Sequence, residues 1–200
     1  MEPPDFPRRD PADPEFWDLR YDAGFAPWDA GKVPEQLATY AGSLARGSVL
    51  VPGCGSAWDV RCFAESGWNV LGIDFSAEAV TAARASLGPF ADRVRRADFF
   101  APLAEAPFDT VYERAFLCAL PRRLWPSWGE RVAQLVRPGG RLVGFFYFDA
   151  GERGPPFPLH GEAELDALLE PSFERLEDAP VADSIPIFVG KERWQVWRRR

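Results

Sequence analysis

The sequence predicts an α/β fold built on an open sheet whose binding edge lies at the carboxyl ends of the strands. Three observations carry this. Val49-Leu50-Val51 is an apolar, β-rich run that enters the glycine turn Pro52-Gly53-Cys54-Gly55. A helix-like segment (Trp58–Ser66) and a second apolar run ending at Asp74 follow, which makes one β-α-β unit. Further on, Leu142–Phe148 is continuously apolar, as a strand covered on both faces should be.

The elements follow in order. Residues 1–14 are rich in proline and charge and read as a poorly ordered lead-in. Residues 15–200 read as a single domain whose first part, 15–32, is an aromatic lid. Within it Phe16–Tyr21 is expected to be a short helix with Trp17 and Tyr21 four apart on one face. Gly24 ends it, and Phe25-Ala26-Pro27-Trp28-Asp29 is a loop. Such a lid can simply pack apolar side chains on the domain, or cover a cationic ligand, and the two readings are compatible. Val33, Leu37, Tyr40, Ala41 and Leu44 recur at helical spacing before Gly47. Ser76 caps a helix through Val80, Ala83 and Leu87, which Gly88-Pro89 ends. Arg93–Ala97 is a weaker third strand and Phe108–Tyr112 the fourth. Trp128, Val132, Leu135 and Val136 give the next helix one apolar face, broken by Pro138-Gly139-Gly140. After the Leu142–Phe148 strand comes a stiff loop, Gly154-Pro155-Pro156-Phe157-Pro158. Leu165, Leu168 and Leu169 mark a last helix. Phe173–Leu176 and Glu192–Trp197 close the chain as an antiparallel hairpin.

Composition bounds the function. Two hundred residues, 46% hydrophobic and 26% charged, suit one soluble domain with a sizeable core. A net charge of −7 argues against general nucleic-acid affinity. Arg122, Arg123, Arg131, Arg137 and Arg141 read as a solvated face. Three cysteines without metal-ligand spacing argue against a disulfide framework and a zinc site, so no metal is expected. No run approaches transmembrane length and the N-terminus is not a signal peptide. A cytoplasmic chain with no membrane partner is expected, acting as a monomer or weak homodimer.

The chemistry concentrates between Val49 and Asp74. Gly53 and Gly55 let the backbone turn sharply and approach a ligand with no side chain in the way. Asp74 follows about 20 residues later, where a carboxylate can accept from the two hydroxyls of a ribose. An adenosine-containing cofactor is implied. A dinucleotide site wants Gly-x-Gly-x-x-Gly, and the third position here is Trp58, with Pro52 stiffening the turn. Gly-x-Gly with a distal Asp and no third glycine favours S-adenosylmethionine over NAD. A tight strand–helix turn that binds nothing is the competing reading.

Other candidates fall at the same edge. Asp98 can accept from the exocyclic amine of adenine, with Phe99 or Phe100 packing on the ring, or can cap a turn. Glu113 and Arg114 end the fourth strand beside the presumed transferred group, or form a surface ion pair. Cys118 has no basic partner in sequence and reads as an inert thiol. His160, the only histidine, follows the proline-rich loop that should wall the pocket, and reads as a base or as a solvated side chain.

Together these features resemble a class I S-adenosylmethionine-dependent methyltransferase. More narrowly, the chain is similar to the thiopurine S-methyltransferase family, which includes thiol and halide methyltransferases. The residues that carry the resemblance are Phe16-Trp17, Tyr21, Gly24 and Pro27-Trp28; Val51–Gly55 with Asp59-Val60; and Gly72–Ser76. Asp98–Phe100, Arg114–Pro121, Pro138–Gly140 and Gly154–Phe157 complete the set. The resemblance implies a doubly wound, mostly parallel seven-stranded sheet with a reversed last strand. It implies cofactor contacts at Trp17, Tyr21, Trp28, Gly53, Gly55, Asp74, Phe75, Asp98 and Phe99, and a substrate-orienting role for Arg114. The chain departs from the family at Glu113, where Asp is usual, and at Tyr21, where Trp is common. It is also short, with little room for a substrate-capping insertion.

The expected activity is methyl transfer from S-adenosylmethionine to a small-molecule acceptor, a thiol or other soft nucleophile, leaving S-adenosylhomocysteine. A thiol of pKa about 8.5 is a few per cent ionised at neutral pH, so no strong base is required. The alternatives are an O- or N-methyltransferase on the same fold, an NAD-dependent oxidoreductase, and a non-catalytic cofactor-binding domain.

Overall fold

The computed structural model describes residues 4–43 and 46–200. These form seven strands: β1 (Ser48–Pro52), β2 (Asn69–Asp74), β3 (Val94–Arg96), β4 (Phe108–Arg114), β5 (Val136–Tyr147), β6 (Phe173–Pro180) and β7 (Glu192–Arg199). Their order in the single sheet is β3-β2-β1-β4-β5-β7-β6. Strands β1 to β5 run parallel, and β7 runs antiparallel to both β5 and β6. The expected mostly parallel sheet with a reversed last strand is therefore present. Strand order reverses between β1 and β4, and ligands bind outside the carboxyl ends of the strands at such a switch point.

Among the described residues, six α-helices cover the sheet: α1 (Pro14–Asp22), α2 (Glu35–Ser43), α3 (Trp58–Glu65), α4 (Ala77–Leu87), α5 (Trp125–Leu135) and α6 (Glu162–Leu169). Local chemistry starts several of them. Asp13 caps α1, accepting from the Glu15 N–H at 3.1 Å, with Pro14 pre-set for the first turn. Ser76 caps α4 through the Ala79 N–H at 3.0 Å. Leu44, expected on the second helix, lies outside the described residues, as do residues 1–3 of the lead-in.

The two sheet faces bury separate cores. Leu50, Ile73, Val111, Leu142, Phe146 and Trp197 pack under α5 and α6. Val49, Val51, Val70, Tyr112, Val143 and Trp194 pack under α2, α3 and α4. The alternation Val49/Leu50/Val51 and Leu142/Val143 is the period-2 geometry of a strand buried on both sides. Each large side chain buried there contributes about 1.5–3 kcal/mol.

Two boundaries differ from expectation. Val136 begins β5 rather than ending α5. Pro138-Gly139-Gly140 lies inside that strand, where the partner register jumps from Phe108↔Val136 to Thr110↔Arg141. The triplet forms an irregularity in a strand instead of breaking a helix, because a helix cannot hold Pro-Gly-Gly while an edge of the ladder can loop it out. The arginines expected to share a solvated face are mostly paired separately: Arg122 with Glu164, Arg123 with Asp10 and Arg137 with Asp109. Among the described residues, no helix is long and apolar enough to cross a membrane.

Candidate active site

A cavity of about 570 Å³ opens at the switch point. The nine expected cofactor contacts and Arg114 line it: Trp17, Tyr21 and Trp28; Gly53 and Gly55; Asp74 and Phe75; Asp98 and Phe99; and Arg114. They come from six separate stretches of chain that the sheet brings to one edge.

The floor is the turn after β1. Gly53 has φ +57° and Gly55 φ +49°, both left-handed. A Cβ at Gly53 would sit 2.5 Å from the Phe116 ring, and one at Gly55 would sit 2.6 Å from the Tyr21 hydroxyl. Both positions thus need glycine for conformation and for space. Ala57 caps α3 in the left-handed region without a side-chain acceptor, so the first turn of α3 begins at the cavity with backbone donors that no cap satisfies.

Asp74 ends β2 and is 8% exposed. Its Oδ2 accepts from the Gly55 N–H at 3.1 Å and its Oδ1 from the Ser76 N–H at 3.0 Å. Burial pushes its carboxyl up to about 6, against the pull of those two backbone donors. The carboxylate is therefore fixed in orientation by the glycine turn and by the helix cap, and it keeps acceptor capacity for a ligand.

The N-terminal segment forms the opposite wall. Trp17 and Trp28 meet edge to face with ring centroids 5.4 Å apart, and Tyr21 and Trp28 at 6.1 Å. The Trp28 indole N–H reaches the Tyr21 hydroxyl at 3.5 Å. Burial, then the nearby Asp74, raises the Tyr21 phenol above its ordinary range, so it stays protonated. Polar ties pin this wall down. Asp18 accepts from the Ser76 hydroxyl at 2.6 Å, and Ser56 donates to Asp29. Asp10 pairs with Arg123, and the Arg20 guanidinium lies 3.4 Å from the Phe16 ring centroid. The aromatic segment is thus both a packed cover and a cavity wall.

Asp98 closes its turn at the cavity. Its Oδ1 accepts from the Phe100 N–H at 2.9 Å, which closes the turn, and the exposed residue also lines the cavity. Phe99 is buried, edge to face with Phe116 at 4.9 Å. Arg131, from α5, donates to the Phe99 carbonyl at 3.0 Å and holds the turn from behind.

Glu113 and Arg114 part company. Neighbouring strand residues point to opposite faces, and only Arg114 faces the cavity. Glu113 is 2% exposed on the other side, where its Oε1 accepts from the N–H groups of Phe116 and Leu117 at 2.9 and 3.0 Å. Burial pushes its carboxyl up to about 7, against those two donors. It braces the turn after β4 and takes no place beside a transferred group, nor does it pair with Arg114. Arg114 instead sets Nη1 3.4 Å from Asp59 Oδ1, with its guanidinium 5.6 Å from the Phe145 ring centroid. Burial works against the Arg114 charge, but Asp59, Tyr112 and Glu192 outweigh it and hold the group cationic.

His160 does not line the cavity. It is exposed, with Nε2 3.0 Å from the Gly151 carbonyl oxygen. Cys118 is a buried cavity wall whose thiol burial pushes well up, in keeping with an inert role.

Four contributors carry no role in the sequence reading. Asp59 lines the cavity from the first turn of α3. Phe116 presses its ring toward Gly53. Ile187 and Phe188 reach the rim from the loop between β6 and β7, and the apolar run Ile185–Val189 in a hairpin connection was the available signal.

A family model for thiopurine S-methyltransferase matches residues 12–200. The chain is 28% identical over 190 residues to probable thiol methyltransferase 2 of Arabidopsis thaliana, spanning 92% of this chain and 84% of that protein. It is 33% identical over 177 residues to a thiopurine S-methyltransferase of Vibrio cholerae, spanning 78% and 80%. The solved 1,6-didemethyltoxoflavin-N1-methyltransferase of Burkholderia thailandensis, crystallised with 1,6-didemethyltoxoflavin and S-adenosylhomocysteine, has the same fold. Its TM-score is 0.72 at 20% identity, covering 98% of this chain and 93% of that one. With the family model spanning nearly the whole chain, this protein belongs to the thiopurine S-methyltransferase family of S-adenosylmethionine-dependent methyltransferases.

Proposed function

We propose that the enzyme methylates a small-molecule thiol, with the cofactor held between the glycine turn and the aromatic wall. One observation carries the reading: the glycine turn, a buried carboxylate, an aromatic wall and one arginine converge on a single cavity. The residues present suit S-adenosylmethionine. Gly53 and Gly55 form a cradle that any Cβ would fill, and Asp74 is an oriented acceptor for ribose hydroxyls. Asp98 and Phe99 offer an acceptor and a ring for adenine, beside Phe75. Trp17, Tyr21 and Trp28 present aromatic surface to a sulfonium.

When bound, the cofactor supplies an electrophilic methyl group. The protein positions the acceptor and excludes water, which is where most of the rate enhancement of a displacement without an acid step originates. Arg114 orients the acceptor from the end of β4, on the far side of β1 from Asp74. Pro155 and Pro156, with Phe188, close that end with apolar surface. The thiol assignment draws on relatives named as thiol, thiopurine and thiocyanate methyltransferases.

Incubation with methyl-labelled S-adenosylmethionine and a panel of thiols, halides, phenols and amines tests this. Label in a thioether supports the proposal. Label only in phenols or amines would replace the thiol with an oxygen or nitrogen acceptor. Tight binding of S-adenosylhomocysteine without transfer to any acceptor would make this a non-catalytic cofactor-binding domain.

A further inference from the structure

We propose that Asp59 is the proton acceptor for the incoming thiol, so that the acceptor enters as a neutral S–H and ionises inside the site. This rests on the thiol reading above. Three features of the structure point to Asp59. It stands in the first turn of α3, directly after the glycine turn, and lines the cavity. Its side chain is 16% exposed and reaches Arg114 by one oxygen only, Oδ1 at 3.4 Å, which leaves Oδ2 without a hydrogen-bond partner among the described residues. The other candidate bases are placed elsewhere or engaged: His160 is outside the cavity, Glu113 faces the opposite side, and Asp74 is committed to the glycine turn and the α4 cap, while Asp29 accepts from the Ser56 hydroxyl and the Gly31 N–H and Asp98 closes its own turn through the Phe100 N–H.

The surroundings favour a neutral acceptor over a preformed anion. The cations lining the cavity are each engaged. Arg20 stacks on Phe16 and donates to its carbonyl, Lys32 is largely exposed beside Asp183, and Arg114 is countered by Asp59. An anion entering this space would meet no unengaged side-chain cation to replace its water, which is costly. A thiol can instead enter neutral and lose its proton to a carboxylate already in place.

The groups facing Asp59 set how readily it takes that proton. Arg114 and Tyr112 face it from β4, Asp29 from the N-terminal loop, Cys54 from the glycine turn and Cys62 from its own helix. Glu192, on β7, lies on the same sheet face as Arg114: Phe145 pairs with both Arg114 and Trp194, two residues away. Burial raises the Asp59 carboxyl above its ordinary value, and Arg114 offsets part of this. A carboxylate so placed is a stronger base than one in water, nearer to a thiol in proton affinity.

The thiol S–H bond breaks and the proton passes to Asp59 Oδ2. The sulfur lone pair forms the new S–CH3 bond as the methyl's bond to the sulfonium breaks, and that electron pair stays on the departing sulfur. Protonated Asp59 then returns its proton to solvent as the thioether leaves.

The test is a series of aryl thiols whose pKa values run from below the assay pH to well above it, with wild type and Asp59→Asn. General-base catalysis contributes about 10²–10⁴-fold. The variant should lose at least 100-fold in kcat/KM on the high-pKa thiols, with the loss narrowing steadily as thiol pKa falls below the assay pH. Asp59→Glu should recover part of the activity on the high-pKa thiols. A second readout needs no turnover: with S-adenosylhomocysteine bound, the thiolate absorbance band of an aryl thiol, titrated against pH, should follow a higher apparent pKa in wild type than in Asp59→Asn, because the adjacent carboxylate repels the thiolate and its loss leaves Arg114 uncountered. Calorimetric affinity for S-adenosylhomocysteine, expected to stay within about threefold, shows that the variant is folded. An equal loss across the whole thiol series, or no loss on high-pKa thiols, overturns the role of Asp59. Failure of wild type to methylate any thiol overturns the thiol reading instead.

Discussion

Replacing Asp74 with alanine tests the cofactor site at its most exacting point. The carboxylate is 8% exposed and held by the Gly55 and Ser76 N–H groups at 3.1 and 3.0 Å. Hydrogen bonds to an ionised group contribute about 1.5–3 kcal/mol each, and 1.4 kcal/mol is a factor of ten. Loss of even one ribose contact therefore predicts at least tenfold weaker binding of S-adenosylhomocysteine, measured by titration calorimetry at pH 8. Its pH dependence adds a second signature. Burial places the Asp74 carboxyl at about 6, so protonation below that pH removes the charged acceptor. Wild-type affinity should fall as pH drops through 6 toward 5, whereas Asp74→Ala should be flat over this window. Unchanged affinity at pH 8, or a variant with the wild-type pH slope, would refute the ribose assignment.

Further predictions concern the frame of the site. Gly53→Ala forces a side chain into φ +57° and against the Phe116 ring, so it should lower both the unfolding temperature and the affinity for S-adenosylhomocysteine. Gly24→Ala has a similar φ of +64° but nothing within 4 Å, so it should cost about 1–2 kcal/mol of stability with cofactor affinity intact. Glu113, raised from 4.5 to about 7, binds its proton more tightly folded than unfolded. Its contribution is therefore most favourable below about 4.5 and is lost as pH rises through 7, a change of about 3 kcal/mol. Urea unfolding at pH 5 and pH 8 should show wild type losing stability across that interval and Glu113→Gln losing much less. Identical pH dependence in the two proteins would contradict the assigned burial of Glu113.

What the sequence made legible was local. The β-α-β unit from Ser48 to Asp74 depends on an apolar run, two glycines and a carboxylate within one short stretch, and each is written in residue type and spacing. The same holds for the Ser76 cap and for the aromatic N-terminal segment. What it hid depends on packing between distant elements. The face on which Glu113 lies follows from the register of β4 against β5, which pattern alone does not set. The space requirement at Gly53 becomes visible only once Phe116, from the turn after β4, meets it. Pro138-Gly139-Gly140 reads as a helix stop in sequence, and the ladder instead absorbs it as an irregularity in β5. The loop carrying Ile187 and Phe188 joins the edge strand β6 to its neighbour β7, and only the assembled sheet brings it to the cavity rim. Asp59 shows no role in sequence, because its position beside Arg114 is a contact across 55 residues.

Sulfur is the atom proposed to receive the methyl group. The most direct measurement offers the enzyme one small acceptor that carries a thiol and a hydroxyl on the same carbon frame, such as 2-mercaptoethanol, with methyl-labelled S-adenosylmethionine. Nuclear magnetic resonance then locates the label in the product. Label on sulfur alone, with an equal amount of S-adenosylhomocysteine formed, is the predicted result; label on oxygen would contradict it.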